Sequence, residues 1–187
     1  MIRIAGVKAV FAAIALLAGG SLAAQPEGAS QSADNIEASA GELRIIHLWS
    51  RDPDQFMTAW RGPTPPNLPI SSIMERNQVI QQFVLYANCT RNEAGECHVS
   101  ATVDIFAPDG TRYGDQLAYD VVKGANTAAP GNIGMAEGGI GLRVEDGEQL
   151  GRYRVELRAS DHVSGLTAVS IVHLEAVEEG SLSEKPS

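Results

Sequence analysis

A glycine-containing turn that leads into a strand opening on tyrosine constrains the fold of this chain most. Residues 146–159 read DGEQLGRYRVELRA, a turn followed by alternating apolar and charged residues. In immunoglobulin-like β-sandwiches, a tyrosine near the start of a late strand hydrogen-bonds back to upstream backbone and fixes the corner between the sheets. We therefore predict a tyrosine corner at Tyr153, with Leu150 and Gly151 forming the turn before it.

Short segments with apolar residues at alternate positions recur along the chain, as in β-strands whose successive side chains face opposite sides. Residues 79–89 carry apolar residues on both parities, which predicts a central strand covered on both faces. A short helix is predicted at 54–60. With turn signals every ~8–12 residues, the pattern predicts an all-β, immunoglobulin-like antiparallel β-sandwich of seven or eight strands. The predicted strands are residues 43–49, 79–89, 98–106, 116–122, 140–144, 152–159 and 167–177.

Both ends of the chain differ in composition from this central region. Residues 1–24 predict an export signal, because Arg3 and Lys8 precede a short apolar stretch and small residues that suit cleavage. An uncleaved anchor is the alternative, although the apolar stretch is shorter than the ~18–20 residues of a membrane span. Residues 25–41 predict a disordered linker and residues 178–187 a disordered tail, so the sandwich is expected over 42–177.

The charge of the chain bears on its partners. It has 14 basic and 23 acidic residues and a net charge of −9, and two of the basic residues lie in the predicted signal. An acidic surface repels the phosphate backbone and anionic lipid headgroups. We therefore expect no nucleic-acid partner and no affinity for anionic membrane surfaces. We also expect no membrane span after signal cleavage.

The two cysteines, Cys89 and Cys97, both lie in the part that an export signal would release. An even pair in an oxidising compartment predicts a disulfide, and the turn-like residues between them place it at the base of a hairpin. The alternative is that Cys97 and His98 form half of a metal site. Copper-binding sandwiches add a second histidine and a methionine in one loop, and no methionine lies near. We expect neither a metal nor a cofactor.

Several motifs together resemble a known group of proteins. They are Cys89 with Gly95-Glu96-Cys97, Ala107-Pro108-Asp109-Gly110 with Tyr113, residues 150–155, and Asp161 with Ser164-Gly165. The sequence resembles uncharacterised exported bacterial proteins with a single immunoglobulin-like β-sandwich domain behind a signal peptide. The resemblance covers residues 73–177. It implies the fold and a periplasmic or secreted location, and it implies no activity.

Reactive residues are sparse. Residues 160–165 hold Ser160, Asp161, His162 and Ser164 in one loop, but a catalytic triad needs these side chains to converge in space. A turn in which Asp161 and Ser164 bond their own backbone is the simpler interpretation. We therefore predict no catalytic residues, and a hydrolase with an unrecognised site remains the least favoured alternative.

Two segments are candidate binding surfaces. Residues 49–69 contain Trp49, Phe56 and Trp60, which either plug an open end of the sandwich or form a partner patch, since tryptophan is favoured as an interface anchor. The glycine-rich residues 124–141 form a long connection that either braces one edge or binds a partner. We expect a non-enzymatic envelope interaction module whose partner is another envelope protein. The alternative is an inhibitor or chaperone-like protein that acts on an envelope enzyme.

Overall fold

Two five-stranded β-sheets form the described part of the chain. The computed structural model describes residues 34–62, 66–125 and 128–182. The elements are β1 (Glu37–Ala40), β2 (Leu43–Ser50), α1 (Pro53–Trp60), β3 (Ile73–Glu75), β4 (Ile80–Ala87), β5 (Cys97–Phe106), β6 (Leu117–Gly124), β7 (Gly134–Met135), β8 (Gly141–Leu142), β9 (Gly151–Asp161) and β10 (Leu166–Val177).

The first sheet has the order β1-β2-β4, with β7 and β8 both pairing with the far edge of β4. The second sheet has the order β3-β10-β9-β5-β6. All pairings are antiparallel except the short parallel pairing of β3 with β10. The predicted immunoglobulin-like β-sandwich is therefore confirmed. Three strands were not predicted, β1, β3 and β7, because segments of two to four residues are too short to show periodicity.

Alternating side chains from both sheets form the core. In β9 the inward set is Tyr153, Val155, Leu157 and Ala159, all fully buried, while Arg152, Arg154 and Arg158 face outward. β4 is covered on both faces, as its sequence predicts. Val84 and Tyr86 face the opposing sheet, and Leu85 faces the other way toward α1.

Helix α1 lies on the outer face of the first sheet. Asp52 caps it by accepting a hydrogen bond from the Gln55 amide at 2.8 Å, and Pro53 suits its first turn. Phe56 is fully buried and stacks on Phe83 with ring centroids 3.8 Å apart. The helix therefore covers the outer face of the first sheet, because β4 carries apolar residues on that side, whereas Trp49 lies in the core between the sheets. No helix among the described residues is long and apolar enough to cross a membrane.

The boundaries of the sandwich are wider than the sequence predicts. The linker prediction is wrong for residues 37–40, which form β1 and pair with β2. Backbone hydrogen bonds hold this region, with the Asn35 amide bonded to Ile171 O and the His47 amide bonded to Ile36 O. Because backbone hydrogen bonds do not depend on a pattern of apolar side chains, the sequence did not predict this strand. The predicted signal at 1–24 and the rest of the linker, 25–33, lie outside the described residues.

The predicted tail also begins in contact with the sandwich. Glu178 forms an ion pair with Arg76 at 3.2 Å, and the amide of Leu182 donates to the Glu75 carboxylate at 2.8 Å. The described part of the tail, residues 178–182, is thus bonded to the start of the β3–β4 connection. Residues 183–187 lie outside the described residues.

The turn before β9 forms the predicted corner. The hydroxyl of Tyr153 donates to the carbonyl oxygen of Gln149 at 2.7 Å, and the ring is fully buried. Gly151 has a φ of +118°, a region that favours glycine, so the chain can turn sharply into the strand. This contact ties the turn to the strand that it precedes.

Candidate functional site

A cleft of about 450 Å³ opens at the end of the sandwich opposite the tyrosine corner. Three separate parts of the chain form its walls: the β1–β2 turn, the β4–β5 loop, and the segment that follows β6. Leu166, at the start of β10, forms its lip and is 45% exposed. The lining residues are Ala40, Glu42, Asn88, Cys89, Thr90, Arg91, Ala128, Pro130 and Leu166.

A disulfide joins Cys89 and Cys97 behind this cleft, as the sequence predicts. The predicted hairpin is wrong, because β4 and β5, which flank the bridge, belong to different sheets. The bridge closes the loop through which the chain crosses from one sheet to the other. Within the loop, the side chain of Asn92 accepts hydrogen bonds from the amides of Ala94 at 3.0 Å and Glu96 at 2.9 Å.

The Asp161 carboxylate connects this loop to the β9–β10 turn through hydrogen bonds. It accepts hydrogen bonds from the backbone amides of Thr90 at 2.8 Å, Val163 at 2.9 Å and Ser164 at 3.2 Å. Burial of Asp161 raises the pKa of its carboxyl, but these hydrogen bonds outweigh burial, so the pKa lies below its usual value. Asp161 therefore organises backbone, as the turn interpretation predicts, and does not orient His162.

Two further residues tie the 128–131 segment to the same loop. Arg91 donates to Gly95 O at 2.7 Å and to Ala128 O at 3.0 Å. The side-chain oxygen of Asn88, which has a φ of +56°, accepts a hydrogen bond from the Gly131 amide at 3.0 Å. Part of the glycine-rich connection is thus fixed in place, and the walls of the cleft are held without a ligand.

The three residues of the predicted partner patch do not form one exposed surface. Trp49 and Phe56 are buried, and Trp60 is partly buried against the cluster beneath α1. This correction follows from the strand parity of Trp49, which faces the opposing sheet, and from the helix that carries the other two aromatics. Ile70, just after this segment, is 56% exposed and lines a smaller cleft of about 200 Å³.

A buried polar network that the sequence analysis missed crosses the core. The Trp49 indole N–H and the Gln82 amide both donate to Nε2 of His47, at 3.0 and 2.8 Å. Because an indole only donates, Nε2 accepts, and Nδ1 carries the proton toward Ser170 Oγ at 3.4 Å. Burial lowers the pKa of His47 to about 3, so the ring is neutral. The sequence held one signal of this network: Gln82 is a polar residue on a face of β4 that is otherwise apolar.

The histidine of the 160–165 loop meets a serine that the sequence analysis did not consider. His162 Nε2 lies 2.7 Å from Ser100 Oγ, and its ring stacks on His98 with centroids 4.2 Å apart. His98 in turn contacts Asp120 at 3.2 Å. Among the described residues, no group of three or more His, Cys, Asp or Glu side chains could hold a metal ion.

No protein-family model matches the chain, and no curated protein matches it in sequence. The chain is similar to the CARDB domain of a Pyrococcus furiosus protein (16% identity, TM-score 0.36, 58% of this chain and 86% of that one). It is also similar to a Niemann-Pick type C2 protein from Japanese carpenter ant (7% identity, TM-score 0.37, 78% and 98%). A family 123 glycoside hydrolase from Clostridium perfringens shares 8% identity with a TM-score of 0.39, and the match spans 72% of this chain but 27% of the hydrolase. The two packed sheets carry the immunoglobulin-like class.

Proposed function

We propose that this protein is a non-enzymatic interaction module of the bacterial envelope, periplasmic or secreted, which binds another protein in the cleft at its disulfide end. The observation that carries the proposal is the construction of the cleft. The Cys89–Cys97 disulfide and the Asp161 carboxylate hold the β4–β5 loop, and the Arg91 guanidinium and the Asn88 side chain tie the 128–131 segment to that loop. Sites fixed before binding lose less entropy when a partner is bound.

The lining of the cleft suits a protein segment. Ala40, Ala128, Pro130 and Leu166 supply apolar surface, and Glu42, Asn88, Thr90 and Arg91 supply a polar rim. A largely apolar recess with a few polar groups is typical of a site that accepts one side chain of a partner and bonds the backbone beside it. The net charge of −9 favours partners with neutral or basic surfaces over nucleic acid or anionic membranes.

Features of the sequence support an exported location for this protein. The positively charged start followed by a short apolar stretch supports export, and a cysteine pair that is bridged suits an oxidising compartment. The resemblance to exported bacterial proteins with one immunoglobulin-like domain supports the same compartment. A fusion of residues 1–24 to a reporter enzyme that is active only after export would test it, with Arg3 and Lys8 replaced by glutamate as the control.

Site-specific photo-crosslinking tests the binding surface. A photoreactive residue at Leu166, on the lip of the cleft, should capture one discrete partner in envelope extract. The matched control is Leu117, which is 41% exposed but lies on β6, away from the cleft. Equal capture from both positions, or none from Leu166, would argue against the cleft as the interface.

The identity of the captured protein separates the two binding hypotheses. An inhibitor or chaperone-like protein should capture one envelope enzyme and change its activity, whereas a structural module should capture a protein without such an effect. The hydrolase alternative draws on one observation, the 2.7 Å contact between Ser100 Oγ and His162 Nε2. Turnover in a broad hydrolase screen that is lost in both Ser100→Ala and His162→Ala would favour it.

A further inference from the structure

The two halves of the Cys89–Cys97 disulfide differ in accessibility. Cys89 is partly exposed and lines the 450 Å³ cleft, whereas Cys97 retains 1% exposure and belongs to the core. We propose that Cys89 is a site of thiol–disulfide exchange, and that its substrate is a low-molecular-weight thiol which enters through the cleft. This inference concerns the disulfide itself and does not depend on the cleft binding a protein partner.

The exchange is a single substitution at sulfur. The thiolate of the incoming molecule forms a bond to Sγ of Cys89, the Cys89–Cys97 bond breaks, and its electron pair leaves on Sγ of Cys97, which then takes a proton from water. A second equivalent of the thiol resolves the mixed disulfide. It leaves with the first as an oxidised dimer, and both cysteines of the protein are then reduced.

The surroundings of the bridge favour attack on Cys89. The cleft that reaches Cys89 is not lined by Cys97, whereas a separate surface depression of about 390 Å³ is lined by Cys97 together with His98, Lys123 and Val163. The burial of Cys97 makes its sulfur the poorer target from this second side, because exchange requires contact between the thiolate and the sulfur.

The fold also accommodates the reduced form. Sγ of Cys97 lies 3.5 Å from the carbonyl oxygen of Cys89, so a thiol released there has a hydrogen-bond acceptor in place. The loop stays attached through the Thr90 amide on Asp161 and through Arg91 on Ala128 O. We therefore expect a folded protein with a mixed disulfide at Cys89, not an unfolded chain.

Mapping of the mixed disulfide tests the proposal on the full oxidised protein. The protein is incubated with reduced glutathione under native conditions, quenched with acid, alkylated and analysed by peptide mass spectrometry. Glutathione should be found on Cys89 and the alkyl group on Cys97, with a preference of about tenfold or more over the reverse. Equal modification of both cysteines, or glutathione mainly on Cys97, would overturn the proposal.

A matched pair of variants tests the route of entry. Leu166→Trp adds bulk at the lip of the cleft and should slow formation of the mixed disulfide about tenfold. Val163→Trp, also at an exposed position, adds at least as much bulk to the depression beside Cys97 and should leave the rate unchanged, because Val163 does not line the cleft. Equal slowing by both, or by Val163→Trp alone, would show that the thiol does not use the cleft. In urea both variants should react at the same rate, which confirms that the folded state sets the difference.

Discussion

The two ends of this sandwich are closed in different ways. At the corner end, the rings of Tyr113 and Tyr153 meet edge to face with centroids 5.4 Å apart. At the opposite end, a disulfide and three side chains hold the loops by their backbones and leave a cleft of about 450 Å³. Loops at an end of the sandwich can thus be held by bonds to their backbones while a cleft remains between them, and we propose that the partner binds in that cleft.

Side chains at the corner end are bonded to neighbouring groups of the same end. Tyr113 donates to Glu148 at 2.7 Å and contacts Arg143 O at 2.9 Å, and burial of Tyr113, assisted by Glu148, raises the pKa of its hydroxyl. Arg76 bonds Glu145 O at 2.6 Å and pairs with Glu178 at 3.2 Å. These contacts bond side chains and backbone groups of the corner end to one another.

Acid should destabilise the core that both ends share, and this is the largest effect that we expect. The pKa of His47 falls from 6.5 in the unfolded chain to about 3 in the folded protein because of burial. The unfolded chain therefore binds a proton first, so stability is full above pH 6.5 and is lost as the pH falls toward 3. The loss is at most about 5 kcal/mol.

Chemical denaturation of the wild-type protein and of His47→Gln at several pH values measures this effect. The difference between the two free energies of unfolding should shrink as the pH falls below 6.5. A difference independent of pH would mean that folding does not lower the pKa of His47.

Truncation of one side chain at each end should lower the free energy of unfolding by different amounts. Tyr153→Ala removes a fully buried ring and should cost about 3–5 kcal/mol, as large-to-small core changes do. Leu166→Ala, on the exposed lip of the cleft, should cost less than about 1 kcal/mol. Urea midpoints of both variants measure the difference, and similar costs would contradict the distinction between a filled and an unfilled end.

Removal of the bridge tests how much of the rigidity of the disulfide end is covalent. The double variant Cys89→Ser, Cys97→Ser should lose about 2–3 kcal/mol, because the bridge closes a short loop. The β4–β5 loop should nevertheless keep its position, since Asp161 and Arg91 bond its backbone. Hydrogen exchange at the Thr90 amide checks this, and loss of its protection would show that the disulfide alone holds the loop.

The smallest effect concerns one hydroxyl at the corner end. Tyr153→Phe keeps the ring and removes the 2.7 Å hydrogen bond to Gln149 O, which should cost about 1–2 kcal/mol. The urea midpoint measures it. An unchanged midpoint would mean that the corner is held by packing of the ring and not by its hydrogen bond.

Local chemistry explains which features could be predicted from the sequence. The corner at Tyr153 depends on a turn and a strand that are adjacent in sequence, and the double coverage of β4 can be inferred from its own residues. The disulfide was predicted, but its hairpin was not observed, because the sheet to which a strand belongs depends on distant partners. For the same reason the sequence left two alternatives open for Trp49, because the face of β2 that is buried is known only once the opposing sheet is known.

The cleft could not be predicted at all. Its walls come from residues 40–42, 88–91, 128–130 and 166, which no local pattern connects. The side chains that hold it, Asp161, Arg91 and Asn88, are ordinary turn residues in the sequence. Their role depends on which backbone groups lie within reach, and this is decided by the packing of the two sheets.

Residues 35–40, near the start of the described chain, bond to both sheets, so proteolysis there should affect stability. Asn35 bonds Ile171 in the second sheet, and two residues later β1 begins to pair with β2 in the first. A protease that trims the chain up to residue 33 would leave these bonds intact. Cleavage within residues 35–40 would remove a segment that bonds to both sheets, so we expect trimming past Asp34 to destabilise the fold.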